Sequence, residues 1–411
     1  MNYSLGAAMI KRKIYLEKLK PFFDTDLIKV ITGIRRCGKS VMLDLIKDEF
    51  LGRGVQKEQF ITMNFEDIDF EKYREYQLLH EYLSETIEKI NKKTYIFLDE
   101  IQEVVSWEKC VNSLRVKFDC DIYITGSNAN LLSGELATYL GGRYVELIVY
   151  PFSFAEFVEL NRSHNIDTSI EQLFKAYLQV GGMPYLKNVN FDYKASILYL
   201  QDLYNSIVLK DIVQRNKIRS IDIFERIMKY IIANIGNTFS ARSISNYFKS
   251  EKRNISVESV LNHLLFAENA HLLCRVRRKD IIGKKTLTIN EKYYIADHGL
   301  REAVVGHNLP NISMILENIV FTELKRRDYK VCVGKMDSLE VDFIAEKHNR
   351  SIYMQVCYLL ASDETIEREF TVLEKIKDNY EKIVVSVDEF DMSRNGKKHF
   401  NIREFLLSDY I

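Results

Sequence analysis

Between residues 27 and 150, apolar runs of strand length alternate with helical segments. "LIKVITG", "QFITMNF", "TYIFLDE", "DIYITGS" and "RYVELIVY" read as strands, and "SVMLDLIKDEF", "LLHEYLSETIEKI" and "WEKCVNSLRVKF" as the helices among them. Strands that are apolar along almost their whole length need cover on both faces. Strands separated by helices cannot pair as simple hairpins. Both facts point to an α/β fold with a parallel sheet between helical layers.

The chain has 411 residues, enough for two to four domains at roughly 100 to 200 residues each. Apolar residues make up 46%, which supports large cores. Lysine plus arginine and aspartate plus glutamate both count 58, so net charge neither favours nor excludes nucleic acid; local patches decide that. The six cysteines are scattered and show neither zinc-ligand spacing nor a disulfide frame. The opening apolar stretch is too short for a secretory signal, and no run of 18 apolar residues occurs. The expectation is a cytoplasmic protein without a membrane partner.

The first strand runs into "GIRRCGKS" (33–40), which fits the phosphate-binding pattern GxxxxGK[ST] between a strand and a helix. The glycines let backbone amides face a phosphate, and the helix N-terminus adds positive potential. Gly33, Ile34, Arg35, Arg36, Cys37, Gly38, Lys39, Ser40 and Val41 are therefore expected to hold ATP. Lys39 bridges the terminal phosphates, and Ser40 takes Mg²⁺. "TYIFLDEIQ" closes a strand on Asp99 and Glu100. The aspartate suits Mg²⁺, and the glutamate suits polarising the attacking water. "IYITGSNA" places Thr125, Ser127 and Asn128 after the next strand. Asn128 is read as a γ-phosphate sensor, with helix capping as the alternative for Ser127 and Asn128. Arg143, after two glycines, is either a finger for a neighbouring subunit's nucleotide or a surface arginine.

These motifs, with "GGRY" and "YPFSFAEF" after residue 140 and "VGGMPYL" near 180, resemble a family of bacterial and archaeal AAA-plus ATPases. Its members join an ATPase core to a winged-helix region and a C-terminal restriction-endonuclease-like domain of the PD-(D/E)XK type. The resemblance implies an architecture of P-loop NTPase sheet core, helical lid, winged helix and α/β endonuclease-like domain. The expected boundaries are 1–158, 159–218, 219–305 and 306–411. It implies ATP and Mg²⁺ as cofactors and leaves the pathway open.

Downstream, prolines 21, 151, 184 and 310 punctuate the chain. Residues 151 to about 217 read as helices. Three helices between 222 and 270 and a strand pair then follow the winged-helix order. The candidate recognition helix, 255–269, would expose Ser256, Glu258, Ser259, Asn262 and His263. Arg275, Arg277, Arg278 and Lys279, with Lys284 and Lys285 across the turn and Lys252 and Arg253 before the helix, suit the phosphates of double-stranded DNA. A protein partner is the competing reading for this region, and the ATPase core is a candidate for a homo-oligomer.

"LEVDFIAEKHNRSIYMQVCY" (339–358) reads as a hairpin. Glu317 on the preceding helix, Asp342 and Gln355 are the candidate ligands of a second metal, although a neutral glutamine weakens its hold. Cys357 stands where such nucleases carry a lysine, and a thiol cannot supply that cation. Lys325, Lys335 and Lys347 lie near in sequence. The hairpin is read as a nuclease site, a metal site without cleavage, or a relic that grips DNA or a partner.

Overall fold

The computed structural model describes residues 10–132, 140–162, 168–283, 285–306 and 311–409; Lys284 and Pro310 lie outside them. The chain divides into two compact units. The first runs through Val149 and takes in residues 269–271; the second holds the remainder.

In the first unit, α1 (Lys13–Leu19) precedes β1 (Ile28–Thr32), and α2 (Lys39–Gly52) follows the phosphate loop. Then come β2 (Phe60–Asn64), α3 (Tyr76–Ile90), β3 (Thr94–Asp99), α4 (Trp107–Lys117), β4 (Cys120–Gly126) and β5 (Tyr144–Ile148). The strands form a parallel sheet in the order β2-β3-β4-β1-β5. All residues of β1, β3 and β4 are buried, which explains their largely apolar character. Side chains alternate between the faces. Ile28, Val30, Ile96, Leu98, Ile122 and Ile124 join Leu79, Leu83, Val111 and Leu114 of α3 and α4 in one core. The other face carries the ring cluster of Phe23, Phe50, Tyr95, Phe97 and Tyr123.

A charged pair is built into that second face. Lys29 Nζ lies 2.5 Å from Asp121 Oδ1, and both side chains are fully buried. Asp121 Oδ2 accepts from the Tyr123 hydroxyl and from the Asp24 amide, each at 2.9 Å. Burial pushes the Asp121 carboxyl up and pulls the Lys29 ammonium down, and each opposes the shift of the other.

The second unit opens with α5 (Phe154–Arg162), α6 (Ile170–Val180) and α7 (Tyr193–Ser206), the last running on as a π-helix over Ile207–Gln214. Next come α8 (Ile221–Ala233), β6 (Thr238–Phe239), α9 (Ala241–Ser250), α10 (Val257–Asn269), and the hairpin β7 (Leu273–Asp280) and β8 (Thr286–Ile295). The chain ends through α11 (His298–Val305), α12 (Ile312–Arg326), β9 (Lys330–Met336), β10 (Leu339–Lys347), β11 (Arg350–Val356), α13 (Asp363–Lys375), β12 (Glu381–Ser386), β13 (Lys398–Asn401) and α14 (Ile402–Leu407). Eight strands form one mixed sheet, β13-β12-β11-β10-β9-β7-β8-β6. Parallel pairing of β7 with β9 joins the hairpin to the C-terminal strands. The expected boundary between 305 and 306 therefore falls inside a region spanned by a single sheet.

Removing one member of a buried ion pair strands the other, at a cost of about 3 to 5 kcal/mol. Asp121→Ala is expected to lose that much stability in urea unfolding, and Lys29→Met with Asp121→Leu to recover most of it.

Candidate functional site

The phosphate loop leaves β1 at Gly33, whose φ is +142°. A Cβ there would lie 2.2 Å from the Val149 carbonyl oxygen, so only glycine fits. Arg36 and Gly38 also have positive φ, which curls the loop toward the start of α2. Ile34, Cys37 and Lys39 are buried, Arg35 and Val41 half-buried, and Arg36 and Ser40 exposed. Lys39 Nζ donates to the carbonyls of Gly33 (3.2 Å) and Ile34 (3.3 Å) and lies 3.8 Å from Glu100 Oε1.

Parallel register brings the ends of β3 and β4 beside this loop. The Thr125 hydroxyl donates to Asp99 Oδ1 and accepts the Glu100 amide at 2.9 Å. Glu100 has φ +55°, and its Oε2 accepts from Gln102 Nε2 (2.5 Å) and the Ser127 hydroxyl (2.9 Å). Burial pushes Glu100 up. Lys39, the bonds from Gln102 and Ser127, and Arg35 together outweigh it and hold the carboxyl below the usual glutamate range. Burial raises Asp99 against the bonds from Thr125 and Ser40. Ser40 and Asp99 thus adjoin, and an exposed hydroxyl beside a buried carboxylate fits the inner side of a Mg²⁺ ion held with ATP.

Lys39, Ser40, Asp99, Glu100 and the buried Asn128 gather at the carboxyl ends of the strands. Arg143 does not. It precedes β5, and its carbonyl accepts the amide of Ile28 at the start of β1. It therefore sits at the amino ends of the strands, roughly 16 Å of strand length from the phosphate loop of its own chain. Three contributors were not legible as such. Ser127 serves Glu100 rather than a helix cap, Gln102 shares that role, and Arg12 donates to the Cys37 carbonyl at 3.0 Å while 3% exposed. "FLDEIQ" contains Gln102 as a motif letter; nothing local marks Arg12.

In the second unit four of the seven described cations of the expected basic face are paired internally. Arg278 pairs with Glu340 at 3.3 Å and Lys279 with Glu346 at 2.5 Å. Arg275 pairs with Glu268 and Glu291, and Arg253 with Asp222. Arg277, Lys285 and Lys252 remain exposed. His263 is buried against Phe224, with ring centroids 5.3 Å apart, and burial lowers its pKa. The exposed stripe of α10 instead includes Val257, Leu261 and Leu265.

Glu317, Asp342 and Gln355 do come together, and a lysine joins them. Lys292 Nζ on β8 lies 2.9 Å from Glu317 Oε1, 2.9 Å from Glu340 Oε1 and 3.8 Å from Asp342 Oδ1. Burial works against its charge, but Glu317, Asp342 and Glu340 outweigh that and hold the ammonium above the usual lysine range. Burial, then Glu317, raises Asp342. Cys357 packs in an apolar cluster with Val341, Ile344 and Phe370. Lys347 points elsewhere, donating to the Arg327 carbonyl at 2.8 Å. No group of three or more His, Cys, Asp or Glu side chains is arranged to hold a metal among the described residues. No helix among them is long and apolar enough to cross a membrane.

Residues 25–158 match the AAA domain family, and 171–311 match a domain of unknown function (DUF8612). An uncharacterised protein of Haemophilus influenzae is 40% identical over 382 residues, 93% of this chain and 94% of its own length. An uncharacterised protein of Methanocaldococcus jannaschii is 33% identical over 389 residues, 90% of this chain and 82% of its own. The chain belongs to their family. In this AAA-domain protein the five-stranded parallel sheet is the P-loop core, and ATP binding is the function that goes with it. Solved structures resemble it only distantly. The Aeropyrum pernix ORC1 protein in complex with DNA gives a TM-score of 0.33 at 12% identity, covering 74% of this chain and 94% of its own. A STAND signal-transduction ATPase with a tetratricopeptide repeat sensor, from Pyrococcus horikoshii, gives 0.29 at 15% identity, over 77% of this chain and 45% of its own. Likeness of that size says nothing about what this AAA-domain protein binds.

Thr125→Val removes the hydroxyl that serves both Asp99 and the Glu100 amide. An unsatisfied buried N–H costs about 1 to 3 kcal/mol. Chemical denaturation is expected to show a loss of that size, with weaker Mg²⁺-dependent nucleotide binding in a fluorescent-analogue titration.

Proposed function

We propose that this protein hydrolyses ATP and that its nucleotide state acts on the second unit. The observation that carries this reading is Glu100. Its carboxyl is kept below the usual glutamate range, held by Ser127 and Gln102, and placed beside Lys39 at the end of the strand that also presents Asp99. When ATP binds, Lys39 exchanges two backbone carbonyls for phosphate oxygens; Ser40 and Asp99 would hold Mg²⁺, which would offset the phosphate charge. Glu100, released from Lys39, then polarises the attacking water, and Asn128 reports the γ-phosphate. Arg143 is out of reach of its own phosphate loop, at the far end of the strands, and is assigned to the nucleotide of another copy in a homo-oligomer. Glu100→Gln keeps the side chain's size and removes its basicity. It should bind ATP like the wild type and turn over at least about 10²-fold more slowly; unchanged turnover would refute the assignment.

For the second unit, the run α8–β6–α9–α10–β7–β8, with β6 paired to β8, supports a winged helix. The run α12–β9–β10–β11–α13–β12, with β12 parallel to β11, supports an endonuclease-like fold. Among the described residues of the expected basic set, Arg277, Lys285 and Lys252 are the exposed cations that would meet double-stranded DNA. A second reading, an ATP-dependent switch acting through a protein partner, is favoured by the neutralised hairpin and the apolar stripe of α10. ATPase rates with and without duplex DNA separate the two. Stimulation by DNA that falls in an Arg277→Ala, Lys285→Ala variant supports the first, and indifference to DNA supports the second.

A further inference from the structure

Glu317, Asp342 and Gln355 do not fit a divalent cation as they stand. Ca²⁺ takes about six to eight oxygens and Mg²⁺ about six in an octahedron, and both need lone pairs turned to one point. Glu317 Oε1 already accepts from Lys292 and, at 2.5 Å, from the Tyr294 hydroxyl. Asp342 Oδ2 accepts the Val356 amide at 2.9 Å. The Gln355 carbonyl oxygen, the one metal-ligating atom of that side chain, accepts the Asp342 amide at 2.7 Å, while its Nε2 donates to Glu369 at 3.0 Å. The cluster already has a cation of its own in the Lys292 ammonium.

Lys292 cannot easily yield that place. Its strand is flanked on both sides, with Val276 of β7 and Thr238 of β6 as its partners across the ladders. The backbone is thereby pinned, and the side chain is 4% exposed. Glu317 is backed on its other side by Gly236, where a Cβ would stand 3.1 Å from Oε2. A divalent ion would have to displace the ammonium from Glu317, Glu340 and Asp342 together.

We propose that Lys292 is a built-in cation that closes the Glu317–Glu340–Asp342 cluster against divalent metals. It ties the hairpin β7–β8 to α12 and β10 and leaves this module without metal-dependent phosphodiester cleavage. Its ammonium is the cation that these acids already hold, and Cys357 adds none. The inference is independent of whether ATP is turned over.

The test uses the full chain without nucleotide, with Mn²⁺ as the probe and thermal unfolding and Mn²⁺ EPR as readouts. Wild type is expected to show no Mn²⁺ response that Asp342→Asn removes. Lys292→Met uncovers the acids. It should unfold roughly 5 to 10 °C lower, regain much of that loss in millimolar Mn²⁺, and lose the recovery when Asp342→Asn is added. If Lys292→Met fails to fold, Lys292→Met with Glu317→Gln, which removes one charge from each side, should restore folding; no restoration would overturn the proposal. So would Mn²⁺ bound to the wild type and lost with Asp342→Asn. Mn²⁺-dependent nicking of plasmid by the wild type and not by Asp342→Ala would overturn it as well.

Discussion

Parallel register among three buried strands holds the nucleotide site together. Thr32, Asp99 and Gly126 end β1, β3 and β4, and hydrogen-bonded pairing fixes how far each strand extends. A shift of one residue in β3 would turn Asp99 to the opposite face and carry Glu100 away from Lys39. The loop, the two acids and Thr125 therefore depend on a core that none of them touches through its functional atoms. The apolar character of "TYIFLDE" is what makes the acids at its end dependable.

Both units put a lysine inside a sheet, and the two cases differ in kind. Lys29 meets one aspartate whose remaining oxygen is satisfied by a tyrosine and an amide. Lys292 meets three acids at once, so none of them has the ammonium to itself. The first arrangement closes on itself. The second extends further and takes in Arg278 through Glu340. Cations that looked like a phosphate-binding edge are thereby committed to holding β7 and β8 against β10.

The strand–loop–helix that carries Lys39 and Ser40 was legible because its chemistry is local: eight consecutive residues contain the turn, the glycines and the ligands. Asp99 and Glu100 were legible for the same reason, as the end of an apolar run. Arg143 was legible as a residue but not as a position, because which end of a parallel sheet a loop occupies depends on pairing with β1. His263 was placed on the wrong face of its helix, since a helix with apolar residues all round does not declare its buried side. Lys292 was not legible at all. It stands 25 residues before Glu317 and reaches that acid because α12 packs on β8, which no periodicity announces. Reading charge runs without their partners also overstated the basic hairpin, because Glu340 and Glu346 lie more than 60 residues away.

The unbroken sheet from β13 to β6 has a mechanical side. Seven steps between neighbouring strands, at about 4.8 Å each, add up to roughly 34 Å measured across the strands. Hydrogen bonds run along that direction, and they resist stretching far better than a loop does. A displacement imposed at the two-residue edge strand β6 thus travels as through a stiff plank, and its far margin, bearing α14, must tilt with it.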